Sequence, residues 1–375
     1  MLPGAILLDC SQSIRLHNDN DSITVYKDNR HDERGNNMTT TLTVILTLIF
    51  LAGLLWFLSP LLGKTLVKLD MSSQLSKAKL QEKSVTLDNG RKAWYLERMN
   101  KQDTDEKPLV VVPGLSAYMR LMGVQFADLL KLIPNRRVII FELPYHGKRA
   151  SMNESFVDPG CSLDAMTASL ERFLTKIGLT DSFDLMGYSL GGTIATNYTI
   201  RNPSNINRLI LLAPYYYNEA TTEDYNAIFE SKKWSSLAAW KGREEMERWF
   251  HDWLGMEKED VLPGFIMSGL AALRSEYYPE NHWIKFYEQL DVDCISTKTL
   301  LEDNKANLRA ISSPILVLTA TTDKICDYKK LANLKNFFNP DLCTIKNLDA
   351  GHCFAPKGKT LFEIAAEDTA KFLNS

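Results

Sequence analysis

Phe183-Asp184-Leu185-Met186-Gly187-Tyr188-Ser189-Leu190-Gly191-Gly192-Thr193-Ile194-Ala195-Thr196-Asn197-Tyr198 is the stretch on which the reading of this chain turns. A short apolar strand runs into G-x-S-x-G and then into a helix-forming segment. A strand that turns into a helix this abruptly needs small neighbours around the turn, and it holds the serine hydroxyl out above the end of the sheet. The spacing therefore predicts a nucleophile elbow with Ser189 at its tip.

A serine hydroxyl is a weak nucleophile at neutral pH, so a histidine must take its proton and a carboxylate must hold that histidine's tautomer and orientation. Of the six histidines, His17 and His31 lie in a polar N-terminal stretch, His251 and His282 in a strand-free middle stretch, and His146 in a turn after an early strand. His352 remains, in Leu348-Asp349-Ala350-Gly351-His352, after the last candidate strand. The acid expected between serine and histidine is Asp323, in the loop that follows Pro314-Ile315-Leu316-Val317-Leu318-Thr319. The chain order Ser, Asp, His is the one an elbow enzyme uses. The oxyanion needs two backbone N–H donors: Leu190, directly after the serine, and Leu115 in Pro113-Gly114-Leu115-Ser116, after the strand Leu109-Val110-Val111-Val112.

Working outward, strands are expected at 109–112, 137–142, 182–186, 208–212, 314–319 and 343–345, alternating with helix-length segments. That rhythm predicts a mostly parallel central sheet flanked by helices. A hairpin with an Asn-Gly turn at Asp88-Asn89-Gly90 opens the folded part, its strands at 83–87 and 92–97. Between residues 215 and 312 the strand rhythm stops, which reads as a helical lid. Met246, Trp249, Phe250, Trp253 and Leu254 recur at helical spacing, and five of the seven tryptophans fall in this stretch. Trp249 and Trp253 are the candidate substrate-binding residues, although packing of the lid on the body explains them equally.

In order along the chain, P-G-L-S-A, E-L-P-Y-H-G, G-Y-S-L-G-G, A-T-T-D and A-G-H resemble the α/β-hydrolase superfamily over residues 81–375. The resemblance implies an α/β-hydrolase fold in which Ser189 is nucleophile, Asp323 acid, His352 base, and Leu115 and Leu190 the oxyanion donors. With an apolar N-terminal run and a helical lid, the chain also resembles membrane-anchored monoacylglycerol lipases. It departs from the family where Pro113-Gly114 replaces the usual His-Gly of the oxyanion loop and Thr319-Ala320 replaces a common His-Gly on the acid strand. Serine at the elbow argues against haloalkane dehalogenases and epoxide hydrolases, which use a carboxylate there.

The apolar run is Leu42 to Leu62, 21 residues without a charge, a length matching the hydrocarbon thickness of a bilayer. It is longer than a signal-peptide core and no A-x-A-like site follows it, and a soluble core helix would show polar positions. The expected layout is a disordered tail over 1–41, a transmembrane anchor over 42–62, a connector over 63–82, a hydrolase core over 83–214 and 313–375, and a lid over 215–312. Met38, immediately before the run, raises the hypothesis of a translation start there. Lys27, Arg30 and Arg34 precede the run and Lys64, Lys68 and Lys77 follow it, so the charges balance; with a start at Met38 only the second group remains, and the catalytic part of a single-pass membrane protein is then expected on the cytoplasmic side.

With 43 Lys+Arg against 46 Asp+Glu, 45% hydrophobic residues and a net charge of −3, the chain is globular and has no global attraction for nucleic acid. Its six cysteines form no C-x-x-C pair, so neither a zinc ribbon nor a disulfide framework is expected and the thiols read as reduced and packed. The expected function is cleavage of a carboxylic ester of a lipid, monoacylglycerol or lysophospholipid, at a membrane bilayer, needing no metal or organic cofactor. The alternatives are a hydrolase of small soluble esters or carbon–carbon bonds, told apart by chain-length dependence, and a non-catalytic binding protein, which a broken triad would mark.

Overall fold

The computed structural model describes residues 15–19, 22–26, 30–88, 90–99, 106–115, 117–144, 146–147, 162–216, 247–277 (except 249, 258 and 261) and 300–375. They divide into two compact units, Met1–Leu58 and Ser59–Ser375.

In the first unit, β1 (Arg15–Asp19) and β2 (Ser22–Tyr26) pair antiparallel, and α1 begins at Arg30 and runs to Lys77. The tail expected to be disordered therefore carries a hairpin. The β-branched run Ile23-Thr24-Val25 favours a strand. The expected span over 42–62 lies inside this helix, but among the described residues no helix is long and apolar enough to cross a membrane. The side chains at 55–57, 59 and 60 are outside the described ones, and the stretch left before them, 42–54, is shorter than the roughly 20 residues a crossing needs.

In the second unit, the last part of α1 packs into the body where a connector was expected. Met71 and Leu75 are buried, and Tyr118 Oη approaches Met71 Sδ at 3.7 Å. Next come β3 (Gln81–Thr86), β4 (Lys92–Arg98), β5 (Leu109–Val112), α2 (Met119–Gln125), α3 (Ala127–Leu132) and β6 (Val138–Phe141). Then α4 (Leu163–Lys176), β7 (Phe183–Tyr188), α5 (Leu190–Arg201) and β8 (Ile206–Leu212) follow. From the expected lid, the description includes α6 (Gly264–Tyr277) and α7 (Lys305–Arg309), after which β9 (Ile315–Ala320), β10 (Cys343–Leu348), the short β11 (Phe354–Ala355) and β12 (Lys359–Thr360), and α8 (Leu361–Leu373) complete the chain.

The main sheet has eight strands in the order β10-β9-β8-β7-β5-β6-β4-β3. β3 and β4 pair antiparallel, β4 pairs antiparallel with β6, and every other pair is parallel. Parallel strands are covered on both faces, which is why Leu109-Val110-Val111-Val112 and Val138-Ile139-Ile140-Phe141 are apolar at every position. Val110 and Val112 share one core with Phe173 of α4 and Ile194 of α5, while Leu109 and Val111 share the other with Leu129 of α3 and Phe362 of α8. One buried ion pair ties the layers: Arg136 bonds Asp184 of β7, and its guanidinium also donates to the carbonyls of Lys107 and Leu373 at 2.9 Å each. The layering brings the C-terminal ends of β5, β7, β9 and β10 to one edge, where the candidate residues sit.

Candidate active site

Ser189 stands between β7 and α5 with φ 53° and ψ −122°, a backbone region that L-residues seldom occupy. The surroundings hold it there: its N–H donates to the carbonyl of Leu212 at 3.0 Å, and its own carbonyl accepts from Gly192 at 2.8 Å and Tyr215 at 3.1 Å. The glycine two residues on is required because a Cβ at Gly191 would lie 2.1 Å from the carbonyl oxygen of Val112, on the adjacent strand.

The loops after β9 and β10 hold the other two residues and are bonded to each other, Thr321 N–H to Leu348 O and Thr322 N–H to Ala350 O, both at 2.9 Å. Asp323 Oδ1 accepts from the amides of Ile325 at 2.7 Å and Cys326 at 2.9 Å, which aims Oδ2 at His352 Nδ1, 2.7 Å away. His352 Nε2 lies 3.0 Å from Ser189 Oγ. All three side chains are buried. With the Nδ1 proton held by Asp323, Nε2 presents a lone pair to the serine hydroxyl, the state needed to accept its proton.

Leu190 opens α5, where an amide has no carbonyl in helical register behind it. The loop that carries Leu115 runs against the serine: a Cβ on Gly114 would lie 2.9 Å from Ser189 Cβ. The structure thus brings together Ser189, Asp323, His352 and the Leu115 and Leu190 backbone. Trp249 lies outside the described residues, and Trp253 is half-buried beside the buried Phe250 and Leu254. His146 is buried, its Nδ1 2.9 Å from the carbonyl of Pro144, and burial pushes its pKa down to about 4.

Several residues around His352 carry no sequence signal. Tyr188, a variable position of the motif, places its ring 5.2 Å from the imidazole and donates from its hydroxyl to the His352 carbonyl at 3.1 Å. Cys353 Sγ lies 2.8 Å from that hydroxyl, which leaves the thiol as donor to the phenol oxygen. Burial raises the pKa of both groups, the Cys353 thiol to about 12, so both stay protonated. Cys326, Cys343 and Cys353 are free buried thiols, as expected, while Cys10, Cys161 and Cys294 lie outside the described residues.

Residues 250–260 are stitched to the histidine loop. Leu254 O accepts from Cys353 N–H and Phe354 N–H at 3.0 Å each, and the Phe250 and Phe354 rings pack at a 45° tilt with centroids 5.2 Å apart. Glu257 accepts from the amide of Lys357 at 3.2 Å, and Asp260 from that of Gly358 at 3.1 Å.

Residues 107–255 match the family of the alpha/beta hydrolase fold. Over 139 residues, 37% of this chain and 38% of the relative, the chain is 31% identical to a human 1-acylglycerol-3-phosphate O-acyltransferase, ABHD5. It is also 31% identical over 131 residues to a human (lyso)-N-acylphosphatidylethanolamine lipase, covering 35% of this chain and 36% of that one. The matches thus span well under half of these relatives. Among solved structures, a membrane phospholipase A aligns with TM-score 0.60 at 18% identity over 90% of this chain and 97% of that one. Carboxylesterase CesB of Bacillus subtilis aligns with TM-score 0.54 at 14% identity over 84% and 97%. From the eight-stranded sheet to the elbow at Ser189, this chain carries an α/β-hydrolase-fold domain.

Proposed function

We propose that the protein is a serine hydrolase that cleaves carboxylic esters of lipids, a monoacylglycerol or a lysophospholipid, through an acyl-enzyme. The observation that carries this reading is the unbroken hydrogen-bond relay from Asp323 through His352 to Ser189 at 2.7 and 3.0 Å. As Ser189 Oγ attacks the ester carbonyl, its proton passes to His352 Nε2, and Asp323 stabilises the imidazolium. The Leu115 and Leu190 amides hold the developing oxyanion. His352 then protonates the departing alcohol, and a water activated by the same nitrogen releases the fatty acid.

The lipid substrate class is supported by the two relatives, one a lipase of an acylated phospholipid and the other an acyltransferase to an acylglycerol phosphate. The acyltransferase relative favours a second reading, in which a lipid hydroxyl replaces water as acceptor of the acyl group. Trp253, with Trp249, would line the acyl tunnel. A single-pass membrane location, with the catalytic part on the cytoplasmic side, rests on the charge-free run 42–62 and the lysines after it.

The test is labelling by a fluorophosphonate, followed by a panel of acylglycerols and lysophospholipids with and without a lysophosphatidic acid acceptor. Wild type should label and Ser189→Ala should not, with turnover lower by several orders of magnitude. Asp323→Asn should lose roughly 10³-fold or more, because an amide stabilises the wrong imidazole tautomer. A Ser189→Ala protein that keeps a tenth of wild-type activity would sink the assignment.

A further inference from the structure

Among the described residues, one group can ligate a metal ion: a carboxylate oxygen of Asp323, the thiol of Cys326 and a ring nitrogen of His352, each within 4.8 Å of the other two. The loop after β9 makes this cluster. By accepting the amides of Ile325 and Cys326, Asp323 Oδ1 turns the chain back on itself and folds the Cys326 side chain in beside the carboxylate. The ester-cleaving steps make no use of this thiol. It is 3% exposed, and burial, with the Asp323 charge beside it, keeps it protonated when no metal is bound.

One oxygen, one nitrogen and one sulfur donor suit a borderline-soft divalent ion such as Zn²⁺ or Cd²⁺ and do not suit Mg²⁺ or Ca²⁺, which take oxygen ligands. With bonds of about 2.0–2.3 Å, tetrahedral donors stand roughly 3.4 Å apart, a closure within reach of small side-chain rotations. We propose that Asp323, Cys326 and His352 form an inhibitory site for zinc-like ions, superimposed on the relay; this rests on the serine-hydrolase reading above.

The chemistry balances with one proton released. Cys326 gives its proton to solvent as the metal–sulfur bond forms, and Asp323 binds as the carboxylate it already is. His352, neutral throughout, turns to its other tautomer: Nδ1, the nitrogen facing Asp323, gives its lone pair to the metal, and the ring proton resides on Nε2. With a proton on Nε2, the ring cannot take one from Ser189, so the nucleophile is not activated. Because the three side chains are buried, the ion enters through local opening and inhibition should set in slowly.

The experiment uses the full chain in detergent, hydrolysing a water-soluble short-chain ester in buffered free Zn²⁺, Cd²⁺, Mg²⁺ or Ca²⁺. Zn²⁺ and Cd²⁺ should inhibit, reversibly on adding EDTA, at concentrations where Mg²⁺ and Ca²⁺ have no effect. Each variant is normalised to its own metal-free rate. Cys326→Ser and Cys326→Ala should raise the half-inhibiting Zn²⁺ concentration about tenfold or more, and Cys353→Ser should leave it within twofold. A second readout is independent of turnover: Co²⁺ added to Ser189→Ala protein should give a thiolate-to-cobalt charge-transfer band that Ser189→Ala/Cys326→Ser lacks. Equal zinc sensitivity with and without the Cys326 thiol overturns the proposal, as does absence of the band from Ser189→Ala protein. The band in Ser189→Ala protein, alongside a wild-type chain that hydrolyses no ester, supports the metal site and sinks the hydrolase reading alone.

Discussion

The seam between the Gly255 segment and the histidine loop gives the most demanding prediction. Gly255 has φ 84°, and a Cβ added to it would lie 2.6 Å from the Cα of Gly351, the residue before His352. An ordinary carbon–carbon contact needs about 3.5 Å, so Gly255→Ala must push the two loops apart by about 1 Å. Displacements of that size at a reacting group cost roughly 10²-fold in rate, equivalent to about 2.7 kcal/mol of barrier. Alanine at positive φ adds about 1–2 kcal/mol of lost stability. Gly178→Ala is the matched control: it has φ 70° but nothing within 4 Å of an added Cβ. With urea unfolding to follow stability and a soluble ester to follow turnover, both variants should lose stability. Only Gly255→Ala should lose kcat by roughly two orders of magnitude, with KM changed little. Wild-type kcat in a folded Gly255→Ala protein would refute the idea that the Gly255 segment positions His352.

Four further outcomes are expected. His146 is neutral in the folded protein, with a pKa of about 4 against an ordinary 6.5, so the unfolded chain binds the extra proton between those values. Its contribution is therefore fully present above about pH 6.5 and is lost as pH falls towards 4, by about 3 kcal/mol, and urea midpoints of His146→Gln should show a flatter slope there. Arg136→Met should cost about 3–5 kcal/mol because it removes the buried ion-pair partner of Asp184 and leaves that carboxylate only Asn207 and the more distant Arg208, and adding Asp184→Leu should recover part of the loss in the same assay. Trp253→Ala should lower kcat/KM for a long-chain ester more than for an acetate ester, each ~100 Å² of lost contact being worth about 2.5 kcal/mol; equal losses would mean the ring only packs the lid. A chain begun at Ser59 keeps the buried Met71 and Leu75 and should match full-length protein on a soluble ester while falling behind it on long-chain acylglycerol in vesicles. Equal rates on vesicles would show that residues 1–58 do not serve substrate access.

What could be read without coordinates was whatever depends on neighbours in the chain. The elbow was legible because a strand-to-helix turn restricts residues two positions either side of Ser189. The strands were legible because fully covered parallel strands must be apolar throughout: 109–112 was placed to the residue, and the others are displaced at their ends, β7 running on through Gly187 and Tyr188 into the elbow itself. The order Ser189, Asp323, His352 was legible because each residue follows a recognisable strand. Helix α1 was read too short at both ends, since a charge-free run marks where apolar surface lies and not where helical hydrogen bonding stops.

Tertiary structure alone decided what surrounds the relay. Strand order β10-β9-β8-β7-β5-β6-β4-β3 brings together loops far apart in the chain, so Tyr188 meets His352, Leu254 receives the amides of Cys353 and Phe354, and Glu257 reaches Lys357. None of these contacts leaves a local pattern, because each depends on how the crossovers return the chain to one edge of the sheet. Cys326 makes the same point at short range: its place three residues after Asp323 was visible, but its turn back towards the carboxylate depends on the amides that Asp323 accepts. Periodicity along the chain reports which face of an element is buried, and only the packed layers determine which side chains meet there.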